Sequence, residues 1–414
     1  MSPLFGPILA QLVTMSVFDR TEARHTRSDV NYSEVATYPR VTLDVGWKQG
    51  TLRFAYLPAI TITPLEADSP SAIVLQSGAV ALSNRWQRTT VTAGEWLSYG
   101  EVSLRNQGLA PGSGPVVTLP AMSGAASGGS TGNTTTTGNQ QQGGPTLGGT
   151  NQIAALDKQL KVASSVSTLE VSQAYSAALT VSGQLFYMFF ANPGEDQERY
   201  PTVQGPGARL AVTYAATARD RLSTYVSSQS GFGNNGNNSW LMYANESWAH
   251  DLDKQTVSTL GFGVSMTRNS QPNGLIYYTI FPNFNAGLIH TSRLGRNTLT
   301  VGTTLTSAPY IDPVLAQVDP RVTASALIGF NAKRFSAFLT ASTAVSIPTE
   351  ENASGLNALY GTLQLNYRFA KNFAIDGGMR GSWQTFGGQT TIPPSLAFFV
   401  GVSVGAQASS IRKR

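Results

Sequence analysis

The chain contains no cysteine, and only 12% of its 414 residues are charged. The absence of cysteine excludes disulfides, thiolate zinc sites and a cysteine nucleophile, and it is compatible with an oxidising compartment of the cell envelope. The charged fraction is well below the roughly 25% that is usual for soluble globular domains. The net charge of +5 is mild, and no basic cluster is interleaved with aromatic residues. The sequence therefore does not favour nucleic acid as a partner.

Histidine is scarce as well, and the three present are His25, His250 and His290. Their spacing is typical neither of a metal site nor of a catalytic triad. Ser247 precedes His250 by three residues, so on a strand the two side chains would point to opposite faces. Residues 231–236 match the dinucleotide-binding fingerprint, but a strand pattern follows where a helix would have to meet the pyrophosphate. We predict no catalysis, no metal site and no cofactor.

No run in the sequence approaches the roughly 18 apolar residues that a membrane-spanning helix needs. Residues 4–18 are apolar like the core of a signal peptide, but no lysine or arginine precedes them. Our preferred explanation is an upstream start codon outside this numbering, or a signal already trimmed; an ordinary cytosolic start is the alternative. We assign residues 1–25 to an N-terminal segment, the remnant of an export signal.

What the chain does have is a recurring alternation. In residues 359–369 the odd positions are apolar or glycine, and the even positions are polar apart from Tyr360. Successive side chains on a strand point to opposite faces, so such a segment has one apolar and one polar face. Many segments of about ten residues with this pattern indicate a transmembrane barrel. We predict an all-β, antiparallel, up-and-down β-barrel with lipid outside and water inside.

The connections between these segments alternate between two kinds. Short polar ones, such as residues 48–50 and 370–372, are followed by longer ones rich in Gly, Pro, Asn and Ser, such as residues 192–207. Outer-membrane barrels have short periplasmic turns and longer extracellular loops. The pattern predicts a barrel in a bacterial outer membrane with both termini in the periplasm.

We predict about eighteen strands, and a sixteen-strand closure stays open because the first strand alternates poorly. Glu95 and Glu246 leave the face assignment of two further strands uncertain. The first barrel strands occupy 26–107, the remaining strands 166–406, and a C-terminal tail 407–414. The predicted strands are 26–36, 39–47, 51–62, 71–83, 88–104, 166–179, 185–191, 208–217, 222–230, 239–250, 256–268, 275–290, 298–307, 321–332, 335–347, 358–369, 373–385 and 395–406.

Residues 108–165 interrupt the barrel pattern. Most of this insertion is Gly, Ser, Thr, Asn, Gln and Pro, a composition that cannot bury enough apolar surface to order itself. Near its end, Ile153, Leu156 and Leu160 fall on one face of a predicted short helix. Two interpretations stay open: a surface loop with an incidental helix, or a helix that folds inward and plugs the lumen.

The inner face of the barrel is where function would lie. The inward positions of the clearest strands, which we predict to line a pore, are Asp44, Arg53, Glu170, Gln364, Asn366, Arg368, Asp376, Arg380 and Gln384. Both signs of charge occur without a ring of one sign, which predicts a hydrophilic wall without strong ion selectivity. Arg368, Asp376 and Arg380 come from adjacent strands and predict an ion-pair network, either a brace of the wall or a substrate contact.

The alternating repeats over 321–406 and the charged short turns resemble those of bacterial outer-membrane porin-like barrels. The style of residues 83–90 and 98–101 is similar to that of poorly characterised barrels of myxobacteria and their relatives. The resemblance implies a port for secreted polysaccharide, since some eighteen-stranded barrels of that group are thought to serve in this way. The chain differs from typical members at its end, where 407–414 follow the last strand in place of a terminal aromatic residue.

Three functions are weighed. The first is an outer-membrane channel for hydrophilic solutes or a secreted polymer such as polysaccharide, whose partners are outer-membrane lipid and periplasmic export components or polysaccharide. The second is a non-conducting structural or docking barrel whose loops bind a partner or surface. The third is a soluble secreted β-rich adhesin, which predicts that residues such as Phe398 and Val400 pack in a core. The transported solute and the oligomeric state do not follow from the sequence.

Overall fold

A single antiparallel sheet closes on itself in the computed structural model. The structure describes residues 12–27, 32–62, 72–103, 159–193, 202–311, 318–346, 356–386 and 390–411. The first strand pairs with the last along its whole length, from Leu12 opposite Ile411 to Arg27 opposite Leu396. Closure leaves no free sheet edge, which is what a strand protein needs in lipid. No helix that could cross a membrane occurs in the part of the chain that the structure describes.

The strand segments follow one another around the barrel in chain order. Their bounds are β1 Leu12–Arg27, β2 Tyr32–Thr37, β3 Arg40–Trp47, β4 Gly50–Tyr56, β5 Ala59–Ile62, β6 Ile73–Trp86, β7 Thr89–Ser103, β8 Gln159–Ala174, β9 Leu179–Ala191, β10 Val203–Ala215, β11 Asp220–Gly233, β12 Asn238–Asp251, β13 Thr256–Ser270, β14 Ile276–Leu294, β15 Asn297–Ile311, β16 Val318–Asn331, β17 Phe335–Ser346, β18 Leu356–Ala370, β19 Phe373–Phe386 and β20 Thr390–Ile411.

Two of the barrel strands are each broken into two segments by a proline. Pro39 separates β2 from β3, and Pro58 separates β4 from β5. Proline has no N–H to donate to the ladder, so the pairing lapses there. The preceding residue keeps its bond in both cases: the Tyr38 N–H donates to the Arg20 carbonyl, and the Leu57 N–H to the Ser77 carbonyl, each at 2.8 Å. The twenty segments therefore form eighteen strands, which confirms the predicted number and excludes sixteen.

The start of the barrel differs from the prediction. Most of strand β1, residues 12–25, lies in the segment that we assigned to an export signal, and the predicted strand 26–36 spans the end of β1 and most of β2. The predicted count was nevertheless right, because the missed strand offset one that was wrongly divided at Pro39. The reason is local: near the end of β1 the outer positions are Thr21, Ala23 and His25, which give no apolar alternation.

Apolar side chains cover the outer face of the barrel. Phe398 is 43% exposed and Val400 is 62% exposed, with Leu359 on β18 also exposed. These side chains do not pack in a core, so the expectation that followed from a soluble adhesin is wrong. Alternate residues on the same strands, such as Ala397 and Phe399, are buried. The two-faced pattern predicted from the sequence is confirmed.

Eight connections of two to four residues, which we call the short turns, lie at one end of the barrel together with Leu12 and Ile411. The connections at the other end vary more in length, from three residues between β19 and β20 to 55 between β7 and β8. Among the short turns is the β14–β15 turn, where Gly295 has φ of 66°, a left-handed conformation that favours glycine. In the β12–β13 turn, the carboxylate of Asp253 accepts hydrogen bonds from the Gln255 N–H at 2.6 Å and the Thr256 hydroxyl at 3.1 Å. The Gln255 bond above all holds the pKa of Asp253 below its usual value.

The predicted helix in the insertion is wrong at its last apolar residue. Leu160 lies in β8, opposite Val102 of β7, and the ladder continues from there to Gln173 opposite Thr89. The cross-strand partner supplied by β7 overrides the local helical spacing. Ile153 and Leu156, and residues 104–158 as a whole, lie outside the described residues.

Candidate functional site: the inner wall

The structure places the predicted pore-lining residues on the inner face of the barrel. Asp44 and Arg53 lie opposite each other on β3 and β4. Asn366 lies opposite Asp376 on β18 and β19. The register also puts Glu170, Gln364, Arg368 and Arg380 at inward positions. The backbone of Gln384 pairs with that of Ala358, and its side chain lies outside what the structure describes.

Asp44 and Arg53 form a two-point ion pair. The Arg53 Nε atom lies 2.5 Å from Asp44 Oδ1, and the Nη2 atom lies 3.1 Å from Oδ2. The two side chains are 38% and 32% exposed, so water screens the pair. This pair neutralises two charges of the inner wall.

The predicted ion-pair network of Arg368, Asp376 and Arg380 is wrong, because these three residues do not pair with one another. Arg368 is exposed and lies apart from the other two. Asp376 instead pairs with Arg20 of β1, at 2.5 Å from Nη2 to Oδ2 and 3.2 Å from Nε to Oδ1. Arg380 Nη1 lies 3.6 Å from Glu22 Oε1. Together these residues belong to a larger group, the seam cluster, which spans the closure of the barrel. Its members are Arg20, Glu22, Arg24, Glu34, Tyr38, Asp376, Arg380 and Phe399.

Ion pairs link the seam cluster from β19 across β1 to β2. Glu22 contacts Arg20 at 2.7 Å and is also paired with Arg24. Arg24 in turn lies 2.7 Å from Glu34. With three guanidinium and three carboxylate groups, the cluster has no net formal charge. Glu22 is only 1% exposed, so its charge is stabilised by the ion-paired arginines and not by water.

Two features let the charged side chains of the seam cluster pack closely. Gly401 of β20 lies between Glu22 and Asp376 in the ladder, and a Cβ atom there would stand 3.0 Å from Asp376 Oδ1. The Phe399 ring lies beneath two guanidinium groups, with its centroid 4.3 Å from Arg380 Cζ and 5.8 Å from Arg20 Cζ. Such cation–π contacts favour a cation that has left water.

Sequence analysis missed the members of the seam cluster on β1 and β2. Arg20, Glu22 and Arg24 fell in the segment assigned to an export signal, and Glu34 in a strand whose faces were unclear. One signal was available: charged residues at positions 20, 22 and 24 keep the period of two that a strand requires.

A second group of inward side chains lies on the opposite side of the barrel. Arg209 of β10 has its Cζ atom 4.3 Å above the ring of Tyr225 on β11. Tyr225 meets Tyr243 of β12 edge-on, with the centroids 5.6 Å apart and the rings at 87°. We call these three residues the aromatic ladder. In the sheet register Gln184 separates Arg209 from Glu170, and the Arg209 guanidinium makes no ion pair with any residue that the structure describes.

The end of the β15–β16 hairpin bends into the barrel. Val318, the first residue of β16, is buried against Met188, Val203 and Leu241, which lie on β9, β10 and β12. Its N–H donates to Asn269 Oδ1 of β13 at 3.0 Å. The ladder partners of β16 are β15 and β17, so these contacts cross the interior. Tyr243 packs on this inner apolar cluster and connects it to the aromatic ladder.

The histidines have partners of their own. His250 Nδ1 lies 2.7 Å from Asp220 Oδ1, and His290 Nδ1 lies 2.8 Å from the Thr256 hydroxyl. Within the described ranges, no group of three or more His, Asp or Glu residues could hold a metal ion. Ser247 lies on the inner face and His250 on the outer face, so the opposite orientation expected for this pair is confirmed.

No protein-family model and no curated protein matches the chain. Among solved structures, it resembles the FrpB iron transporter from Neisseria meningitidis, at 9% identity over 89% of this chain and 62% of that chain, with a TM-score of 0.51. It is also similar to OccAB4 of Acinetobacter baumannii, at 11% identity over 97% and 100% of the two chains, with a TM-score of 0.47. At these identities the likeness is one of fold alone, and the match covers less than two thirds of the FrpB chain. The fold is that of an outer-membrane porin-like β-barrel.

Proposed function

We propose that the protein is an outer-membrane channel through which hydrophilic solutes, or a secreted polymer such as polysaccharide, pass without chemical change. The observation that carries this proposal is the contrast between the two faces of one closed sheet. The outer face exposes Phe398 and Val400, whereas the inner face bears the seam cluster and the Asp44–Arg53 pair. An apolar exterior suits lipid, and a polar interior suits water and dissolved solutes.

The charges of the inner wall support weak ion selectivity. The seam cluster is formally neutral, and Asp44 is paired with Arg53. Strong selectivity in channels comes from rings of one sign of charge. Uncharged solutes, including sugars, would meet a wall of paired charges, hydroxyl groups and amides.

The eight short turns and both ends of the described chain share one end of the barrel, and every connection longer than four residues lies at the other end. This arrangement supports an orientation with the termini in the periplasm. In that orientation the longer connections face the outside. Periplasmic export components would then meet the short-turn end of the barrel.

A non-conducting barrel is the second candidate, because the inner apolar cluster narrows the interior. Val318 and Leu241 are 4% and 2% exposed although both lie inside the barrel. A passage closed at this level would leave the loops as the functional surface, with a docking role toward a partner or another surface.

Single-channel conductance in a planar bilayer distinguishes the two candidates. We expect detergent-purified protein to give stable openings with little preference for cations or anions. Protease protection in the same lipid would verify insertion. Inserted protein that stays silent, while a Leu241→Ala variant conducts, would support the closed barrel and contradict a constitutively open channel.

A further inference from the structure

Charge is distributed unevenly along the barrel axis. The eight short turns, each taken with three residues on either side, contain twelve Lys and Arg residues but only three Asp and Glu residues. The whole chain has 28 basic and 23 acidic residues, so the basic excess at this end far exceeds the average. The excess of nine positive charges lies where a barrel meets the lipid headgroups.

Half of these basic residues lie on three adjacent turns, which we call the basic sector. It comprises residues 292–299, 329–337 and 368–375, and it contains no Asp or Glu. The turns are neighbours because Thr298 pairs with Asn331, and Phe335 with Tyr367. The basic residues of the sector are Arg293, Arg296, Lys333, Arg334, Arg368 and Lys371. Arg368 lies at an inward position of β18, so the turn residues Arg296, Lys333, Arg334 and Lys371 are the ones placed to meet lipid.

All six cations of the basic sector are exposed, and none is ion-paired to another residue that the structure describes. The β10–β11 and β12–β13 turns differ in this respect. There Arg221 is paired with Asp251 at 2.8 Å, and Asp220 and Asp253 lie next to Arg219 and Lys254 in the chain. The β3–β4 and β6–β7 turns also lack acidic residues, but they contribute only Lys48, Arg85 and Arg88. The basic sector is therefore the largest part of the rim where positive charge has no acidic residue beside it.

Aromatic rings on the outer face lie directly beside these cations. Phe369 is 4.7 Å from Tyr367 and 5.6 Å from Phe373, measured between ring centroids. Phe330 and Phe335 are 6.3 Å apart. Rings of this kind mark the boundary between hydrocarbon and headgroups in membrane barrels. A lipid whose acyl chains contact these rings would have its headgroup at the level of the turns.

At each turn of the basic sector, a cation lies two residues from an apolar side chain. Lys333 lies two residues before Phe335, and Lys371 lies two residues from both Phe369 and Phe373. Arg296 lies two residues after Leu294, an exposed apolar residue. Each turn thus offers one cation next to an apolar side chain, a pairing that fits an anion attached to an acyl chain better than a freely soluble acid.

We propose that the basic sector binds the phosphate groups of anionic phospholipids in the leaflet that the short turns meet. The proposal rests on the membrane setting of the proposed function, and it adds a lipid-binding surface to it. Guanidinium and ammonium groups are the usual partners of phosphate, and basic residues at a membrane surface attract anionic lipid. The lipid would anchor one side of the rim and bias the orientation of the barrel.

Two triple variants with the same change in charge test the proposal. Arg296→Gln/Lys333→Gln/Lys371→Gln removes one cation from each turn of the basic sector. The matched control, Lys48→Gln/Arg219→Gln/Lys254→Gln, removes three exposed cations from other short turns. Phosphatidylglycerol and phosphatidylcholine are titrated onto delipidated protein and counted by native mass spectrometry. We expect the first triple to weaken phosphatidylglycerol binding by roughly ten- to a hundredfold, and the control by far less.

Three results would overturn the proposal: undiminished phosphatidylglycerol binding by the first triple, equal losses in both triples, or a selective loss of soluble polyglutamate binding without any loss of lipid. The last would identify an acidic protein as the occupant. If the variants fail to fold, salt provides a second test on the unmodified protein, because about 0.5 M salt should abolish most of the preference for the anionic lipid. Conductance of the folded first triple should be unchanged, so failure of the lipid site and failure of the channel are distinguishable.

Discussion

Arg20 on the first strand and Asp376 on the nineteenth strand segment form a two-point ion pair across β20, although 356 residues separate them in the sequence. The pair passes over Gly401, the residue of β20 that lies between Glu22 and Asp376. Ion pairs across the line of closure can form only after the first and last strands have paired. The seam cluster is thus a contact between the two ends of the chain.

Removing one carboxylate from the seam cluster should destabilise the folded barrel strongly. Asp376→Asn leaves Arg20 facing Glu22 alone and unbalances the charge of the cluster. We expect a loss of about 3 kcal/mol in the free energy of unfolding, since breaking a buried pair leaves an uncompensated charge. The measurement is urea-induced unfolding in lipid vesicles, followed by tryptophan fluorescence.

Asp44→Asn is the matched control for this change. It also removes one carboxylate from a two-point pair with arginine on the inner wall, but about a third of both side chains is exposed. We expect a loss of at most about 1 kcal/mol. Equal effects at the two sites would show that burial does not govern the strength of the seam cluster.

A side chain at Gly401 should disturb the same cluster by steric means. A Cβ atom there would stand 3.0 Å from Asp376 Oδ1, and the larger Gly401→Val would displace the carboxylate from Arg20. We expect Gly401→Val to cost roughly 1–3 kcal/mol in vesicles. At Gly183, an added Cβ meets no heavy atom within 4 Å, so Gly183→Ala should be nearly neutral. A neutral Gly401→Val would mean that the carboxylate has room to move.

The alternation of residues 359–369 was sufficient to predict strand β18, its two faces and the barrel class, because a strand between lipid and water must repeat every two residues. The same rule failed at β1. Its outer positions near the loop end carry Thr21 and His25, so a true strand shows little apolar contrast there. Alternation in the sequence predicts a strand only where one face contacts lipid and the other contacts water along the whole strand.

Which residues form the candidate site depends on how strands that are distant in the chain pair with each other. This pairing register cannot be read from the sequence. Asp376 and Arg380 were placed on the inner face by alternation alone, but their partners Arg20 and Glu22 follow only from closure. The inward bend that brings Val318 to Leu241 is likewise a tertiary contact between β16 and β12. Alternation identifies which face a residue occupies, and closure decides which charge it meets.

Leu241→Ala should widen the passage. Leu241 is almost fully buried within the inner apolar cluster, so truncation removes contacts with Val318 and loosens the bent end of β16. We expect larger single-channel conductance and a loss of about 2 kcal/mol or more in stability. Leu260→Ala, on the exposed outer face of β13, is the control and should leave conductance unchanged. Unchanged conductance in both variants would show that the inner apolar cluster does not limit ion flow.

Arg209 should tune ion preference, because it forms no ion pair with a carboxylate among the described residues. Arg209→Gln removes one positive charge from the aromatic ladder and the cation–π contact with Tyr225. We expect about a twofold increase in the permeability of cations relative to anions, read from the reversal potential in a salt gradient. The double variant Asp44→Asn/Arg53→Gln removes one charge of each sign and should leave the reversal potential in place. A similar shift of the reversal potential in Arg209→Gln and in the double variant would show that Arg209 does not set the ion preference.

Glu246 is an acidic residue on the outer face of β12, the kind of position that obscured the strand assignment. Its ladder neighbours on that face are Thr224 and Phe262, and Trp248 follows two residues later. A carboxylate against lipid is unfavourable, so Glu246→Leu should raise the stability of the isolated barrel by about 1 kcal/mol, with Glu246→Gln between the two. Urea unfolding in uncharged vesicles measures both. If Glu246→Leu instead lowers stability, the carboxylate must have a favourable partner, because no gain in lipid contact would account for a loss.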